Sequence, residues 1–172
     1  MTAAVFAAGQ PPPAGPNLVE NGDLTAGSAL WSTSLWLPFT APAPMPSRVE
    51  DGALCATVKA GQNVVLGWPG EPSTPKGFEL APGKRYRFSF RARATGGSPV
   101  RVVAKVGHQE FPYTAAVQAP IPVEPEPRVF ALDFEPDQAD AKAGVAFILS
   151  APRGDAQSDV CFDDISVTGG SS

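Results

Sequence analysis

The stretch Tyr86-Arg87-Phe88-Ser89-Phe90-Arg91-Ala92-Arg93-Ala94 decides the fold class. Apolar and polar residues alternate along it with a period of two, the pattern of a strand with one face in a core and the other in solvent. Tyr86, Phe88, Phe90 and Ala92 point inward on this reading, and a turn at Pro82-Gly83-Lys84 launches the strand. The same period assigns core faces to Val100, Val102, Ala104 and Val106, then to Phe130, Leu132 and Phe134, then to Val145, Phe147 and Leu149. Further strands are predicted at residues 54–58, 63–66 and 160–167, with edge strands near Leu18 and Trp31, giving about nine or ten in all. Twenty prolines and 17 glycines, spread without a repeating period, leave no room for long helices. The predicted fold is all-β, a jelly-roll sandwich of two antiparallel sheets.

A chain of 172 residues with 43% hydrophobic side chains suits one domain with one core. Thirteen basic against 17 acidic residues leave a net charge of −4 with no basic block, which argues against a phosphate-backbone partner and so against nucleic acid. No apolar run approaches the length of a membrane-spanning helix, so no membrane partner is expected. Residues 1–16, uncharged and closing on Gln10-Pro11-Pro12-Pro13-Ala14-Gly15-Pro16, read as a Pro-rich linker or leader. Residues 17–168 read as the folded unit and residues 169–172 as a flexible tail.

In their order and spacing, several segments resemble family 4 carbohydrate-binding modules, within the wider group of family 4, 9 and 22 jelly rolls. These are Asn17-Leu18-Val19-Glu20-Asn21-Gly22-Asp23 with Trp31 soon after, Gly52-Ala53-Leu54-Cys55, Leu80-Ala81-Pro82-Gly83-Lys84-Arg85-Tyr86-Arg87-Phe88, and Cys161-Phe162-Asp163-Asp164-Ile165-Ser166-Val167. The resemblance spans residues 17–168 and rests on the ordered set, since no one motif is diagnostic. It implies a jelly roll attached to a glycoside hydrolase, holding a polysaccharide chain in a cleft on its concave sheet.

The two cysteines, an even count in a chain that looks extracellular, favour a Cys55–Cys161 disulfide over two buried thiols. Matching cysteines in some family 4 modules support the bridge. One histidine and no cysteine cluster exclude a zinc or iron site. The resemblance also implies a structural Ca²⁺, with the carbonyls of Asp23 and Gly52 and the carboxylate of Asp163 at the matching positions. Strand alternation puts Asp163 and Asp164 on opposite faces, and an ordinary acidic pair at a strand end is the alternative to calcium.

Sugar recognition calls for aromatic faces against pyranose C–H groups, with polar groups around them. Trp36, Trp68 and Tyr113 fall outside the strand-core pattern and are the candidate platforms. The family's sugar-contacting tyrosine supports Tyr113, each of the three has a packing role as its alternative, and Trp31 matches a structural tryptophan of the family. Opposite the core on the cleft strands lie Arg101, Val103, Lys105, Ala146 and Ile148. The family commonly carries amides there, and the departure counts against a cellulose-type ligand. Lys105 can meet a uronate carboxylate or solvent, and His108 and Gln109 stand at the expected cleft rim. Arg87, Arg91 and Arg93 alternate outward on what the resemblance makes the convex sheet, where they serve solubility.

An enzyme is not expected. The acidic residues cluster in turns rather than pairing across a cleft, and no Ser-His-Asp grouping surrounds His108. The expected function is a secreted, monomeric, non-catalytic module binding a soluble β-linked polysaccharide of β-glucan or xylan type, uronate-bearing or neutral, as the accessory domain of a glycoside hydrolase or polysaccharide lyase. A structural or protein-interaction jelly roll is the alternative, and the apolar Val103, Ala146 and Ile148 point to it.

Overall fold

A computed structural model of the chain describes residues 4–6, 15–38, 40–70, 77–96, 99–110, 112–151 and 157–170. Thirteen strands run through them. In chain order they are β1 (Ala4–Phe6), β2 (Ser32–Trp36), β3 (Ala43–Met45), β4 (Arg48–Glu50), β5 (Ala53–Lys59), β6 (Asn63–Trp68), β7 (Phe78–Leu80), β8 (Tyr86–Gly96), β9 (Arg101–His108), β10 (Ala115–Ile121), β11 (Arg128–Phe134), β12 (Asp140–Ser150) and β13 (Gln157–Gly169). A six-stranded sheet has the order β1-β11-β8-β13-β5-β4, and a seven-stranded sheet the order β10-β9-β12-β6-β2-β3 with β7 paired to β12. All pairings are antiparallel. From β5 onward the chain repeatedly crosses from one sheet to the other, the connectivity of a jelly roll.

The core lies where the alternation predicts it. Phe88 and Phe90 from the six-stranded sheet and Phe147 from the seven-stranded one are fully buried, and Phe147 stacks on Phe162 of the opposite sheet with ring centres 3.9 Å apart. Val102, Ala104, Val106, Phe130, Leu132, Phe134, Val145 and Leu149 are buried with them, and Val100 is half-buried.

Three sequence expectations are corrected. Leu18 lies in a turn-rich segment, not an edge strand, and its N–H donates to the Val167 carbonyl. Ala4–Phe6, inside the segment read as linker, pairs with β11. Asp163 and Asp164 do not take opposite faces, because a bulge between Asp163 and Ser166 inserts a residue and resets the phase. Phe162 and Ile165 both reach the core, three positions apart, with Asp164 exposed at φ 49°.

The segment after Gly15 accounts for the bulge. Ile165 N–H donates to the Gly22 carbonyl at 2.9 Å, and the Asn17 amide bridges Ile165 O and Val167 N at 3.0 Å each. A Cβ on Gly22 would lie 1.9 Å from the Ile165 oxygen, so only glycine lets the chains approach this closely. Asn21 fixes the next loop: its side chain donates to Gly27 O and Ala29 O, and its carbonyl accepts from Trp31 Nε1 at 3.1 Å.

Candidate functional site

On the seven-stranded sheet the register stacks the outward residues into three transverse rows. One runs Gln118, Lys105, Ala146, Gly67, Ser32 across β10, β9, β12, β6 and β2. The next runs Pro120, Val103, Ile148, Val65, Ser34 and on to Pro44 of β3. The third runs Arg101, Ser150, Asn63, Trp36. An apolar band thus lies between two bands that carry polar groups.

Trp36 and Tyr113 stand over this face. Trp36 shares its side of β2 with Ser32 and Ser34, and its Nε1 donates to Ser34 Oγ at 2.9 Å. Tyr113 lies in the β9–β10 connection at φ 56°, where its N–H donates to the Glu110 carbonyl at 2.7 Å. The Lys105 ammonium donates to the Tyr113 carbonyl and lies 6.0 Å from the ring centre. The two rings meet edge to face, centroids 6.4 Å apart, with Trp36 38% and Tyr113 45% exposed. Gly107 lets the connection fold down: a Cβ there would sit 2.3 Å from Thr114 O and 3.1 Å from Lys105 Cε. Lys105 is half-buried, and burial holds its ammonium below the ordinary lysine value.

Other candidate residues fall elsewhere. Trp68 is only 5% exposed, stacks on Phe78 at 5.8 Å and donates from Nε1 to the Glu20 carbonyl at 2.8 Å, so it packs the core and has no ring face for sugar. The reason is strand length: β6 runs to residue 68, and Trp68 shares parity with buried Val64 and Leu66. Gln109 turns its amide to the Trp68 and Ala143 carbonyls, both at 3.4 Å, closing the sheet end over Gly144. His108 has the core parity of β9 and bonds Asp140 through Nδ1 at 2.9 Å, away from the aromatic pair. Arg101 is exposed on the third row. Ser34, Asn63, Ser150 and Gln118 were not singled out in the sequence, although outward strand parity would have placed them on this face.

Of the three residues expected to hold calcium, Asp163 has its expected donor group taken by an arginine. Arg91 takes the Asp163 carboxylate through two bonds of 2.8 and 3.0 Å on the outer face of the six-stranded sheet, and a guanidinium there repels a cation. Gly52 is the second residue of a two-residue hairpin turn between β4 and β5, with Asp51 and Gly52 at φ 51° and 76° as a type I′ turn requires. The Asp23 carboxylate accepts from Thr25 N–H and Oγ1. Among the described residues no group of three or more His, Cys, Asp or Glu side chains could hold a metal ion.

The expected disulfide is present. Cys55 and Cys161 face each other across β5 and β13, Cα atoms 4.1 Å apart, on the outer side of the six-stranded sheet between Arg48 and Arg93.

No family model matches the chain, and no curated protein is similar to it in sequence. Solved structures are similar in fold. A CBM4 module superposes with a TM-score of 0.63 at 24% identity, over 85% of this chain and 99% of that one. The N-terminal cellulose-binding domain of Cellulomonas fimi β-1,4-glucanase C gives 0.54 at 24% identity, over 83% and 90%. TmCBM61, solved in complex with β-1,4-galactotriose, gives 0.51 at 12% identity, over 90% and 99%. The fold is that of the carbohydrate-binding jelly rolls. It also occurs inside the enzymatically active domain of tailspike protein 4 from bacteriophage CBA120, where 89% of this chain covers 21% of that one at 15% identity and a TM-score of 0.61. Fold alone therefore leaves the function to the chemistry of the face.

Proposed function

We propose that the chain is a non-catalytic carbohydrate-binding module that takes a soluble β-linked polysaccharide, of β-glucan or xylan type, on the outer face of the seven-stranded sheet. The observation that carries this reading is the Trp36–Tyr113 pair, two exposed rings beside the apolar band of Val103, Ile148 and Val65. Aromatic faces take the apolar C–H sides of pyranose rings, and Ser32, Ser34, Asn63 and Gln118 offer hydroxyls and amides beside them. On this face affinity comes from aromatic burial more than from hydroxyl bonds, which net only about 0.5–1.5 kcal/mol each against water. A secreted location, as the accessory domain of a polysaccharide-degrading enzyme, agrees with the disulfide.

Affinity electrophoresis through gels containing β-1,4-glucan, β-1,3-glucan or xylan tests the reading, with retardation expected in at least one. Migration unaffected by every polymer would refute it. The same apolar band favours a second reading, a face that binds protein. Prolines in both edge strands, Pro120 in β10 and Pro44 in β3, remove donors for strand addition, so such a partner would have to dock on the band itself.

A further inference from the structure

The third transverse row, Arg101, Ser150, Asn63, Trp36, differs in chemistry from the band beside it. It crosses β9, β12, β6 and β2, three strand spacings, or about 14 Å. At its β9 end a depression of about 440 Å³ opens, lined by Pro99, Val100, Arg101, Ser150 and Ala151. Arg101 is exposed there, and among the described residues no carboxylate lies within ion-pair distance of it. Arg48, Arg87, Arg91 and Arg128 each have an acidic partner within 4 Å, whereas among the described residues Arg85 and Arg93, on the other sheet's side of the sandwich, share with Arg101 the lack of one.

Charge on the face points the same way. The three rows contain Arg101 and Lys105 and no Asp or Glu, in a chain whose net charge is −4. Of the two cations, Lys105 is engaged by the Tyr113 carbonyl, which leaves Arg101 as the one whose donors face solvent. A guanidinium offers two parallel N–H donors that match a carboxylate, while Ser150 Oγ and the Asn63 amide lie next in line to meet hydroxyls. Trp36 ends the row with a stacking surface. A single fork beside an apolar band suits isolated carboxylates on a neutral backbone better than a chain charged at every sugar, whose density would need a run of cations.

We infer that this row is a carboxylate-reading subsite, and that the ligand is a neutral β-linked polysaccharide carrying uronic acid substituents. The inference rests on the proposed reading of the same face as the glycan-binding surface.

Titration calorimetry with two matched probes tests it, xylohexaose and a xylo-oligosaccharide bearing one glucuronosyl substituent, on the wild type, R101Q, R101K and W36A. The wild type should bind the acidic probe about tenfold more tightly, as a bidentate charged pair allows, and added salt should shrink that preference. R101Q should bind the two probes alike, R101K should keep only part of the preference, and W36A should weaken both. Equal wild-type affinities, or a preference that survives R101Q, would overturn the inference while the glycan reading stands. Absence of binding to both probes in the wild type would overturn the inference, and the glycan reading falls with it only if the affinity gels also show no retardation by any of the polymers. A sulfated oligosaccharide bound more tightly than the glucuronosyl probe would show that the subsite reads anions other than carboxylate.

Discussion

The ammonium of Lys105 donates to the backbone carbonyl of Tyr113, so a strand residue of the proposed binding face fixes the loop that presents one of its two aromatic rings. Lys105 therefore acts as a positioning residue. Lys105→Met keeps the aliphatic stem and removes the donor, and it should weaken binding of a neutral glycan about threefold to tenfold through a loosened Tyr113. Titration at two ionic strengths is the check. A loss confined to acidic ligands would assign Lys105 to charge reading.

Arg87 and Asp133 form the most enclosed ion pair among the described residues, with bonds of 2.6 and 2.9 Å and side chains 9% and 17% exposed. The Arg87 hydrogen bonds, more than its charge, hold the Asp133 carboxyl below its ordinary value. A carboxyl depressed on folding contributes stability that is fully present above its unfolded value, near pH 4, and is lost as pH falls through the depressed one. Asp133→Asn removes the charge that the enclosed Arg87 guanidinium pairs with and should lower the melting temperature by several degrees at neutral pH. The difference from wild type should narrow below about pH 4. A variant gap that stays constant down to pH 2 would contradict this account.

Cys55 and Cys161 close 106 residues of chain, for which chain entropy alone gives about 4–5 kcal/mol as an upper figure. The double variant Cys55→Ala with Cys161→Ala should therefore melt well below wild type, by more than 5 °C for a chain of this size. Alkylation of the unfolded, unreduced protein should find no free thiol. Two alkylated cysteines, or an unchanged melting temperature, would count against the bridge.

The Arg91–Asp163 pair joins β8 to β13 and occupies the carboxylate expected for calcium. Melting curves with chelator and with millimolar Ca²⁺ should coincide. Arg91→Ala should leave the melting temperature close to that of wild type, because exposed ion pairs contribute little. A rise of several degrees on adding Ca²⁺ to the wild type would show that the ion is held by other atoms.

Most of the sandwich was legible because its long strands alternate cleanly, and residues such as Phe88, Phe90, Phe147 and Leu149 are buried as their parity requires. Illegible parts had physical reasons. β10 carries Pro120, which breaks a strand pattern in sequence but is tolerated on an edge strand with no neighbour to receive the missing N–H. The three-residue strands β1, β3, β4 and β7 are too short to show a period. In the site, Trp36 and Tyr113 were readable as aromatics outside the strand-core pattern, whereas Trp68 was misplaced by ending β6 two residues early. The calcium ligands followed motif position, which says nothing of Arg91, a residue 72 positions away that occupies the carboxylate.

The most direct measurement of the central claim is titration calorimetry of wild type, Trp36→Ala, Tyr113→Ala and Trp68→Phe against the polysaccharide that most retards the protein in affinity gels. If the Trp36–Tyr113 pair is the platform, each of the first two variants should lose at least about tenfold in affinity, as expected when an aromatic surface of this size is removed. Trp68→Phe, a core change, should lower the melting temperature and leave the affinity near that of wild type. Wild-type affinity in both Trp36→Ala and Tyr113→Ala, with their folds intact by circular dichroism, would place the binding site on another surface of the sandwich.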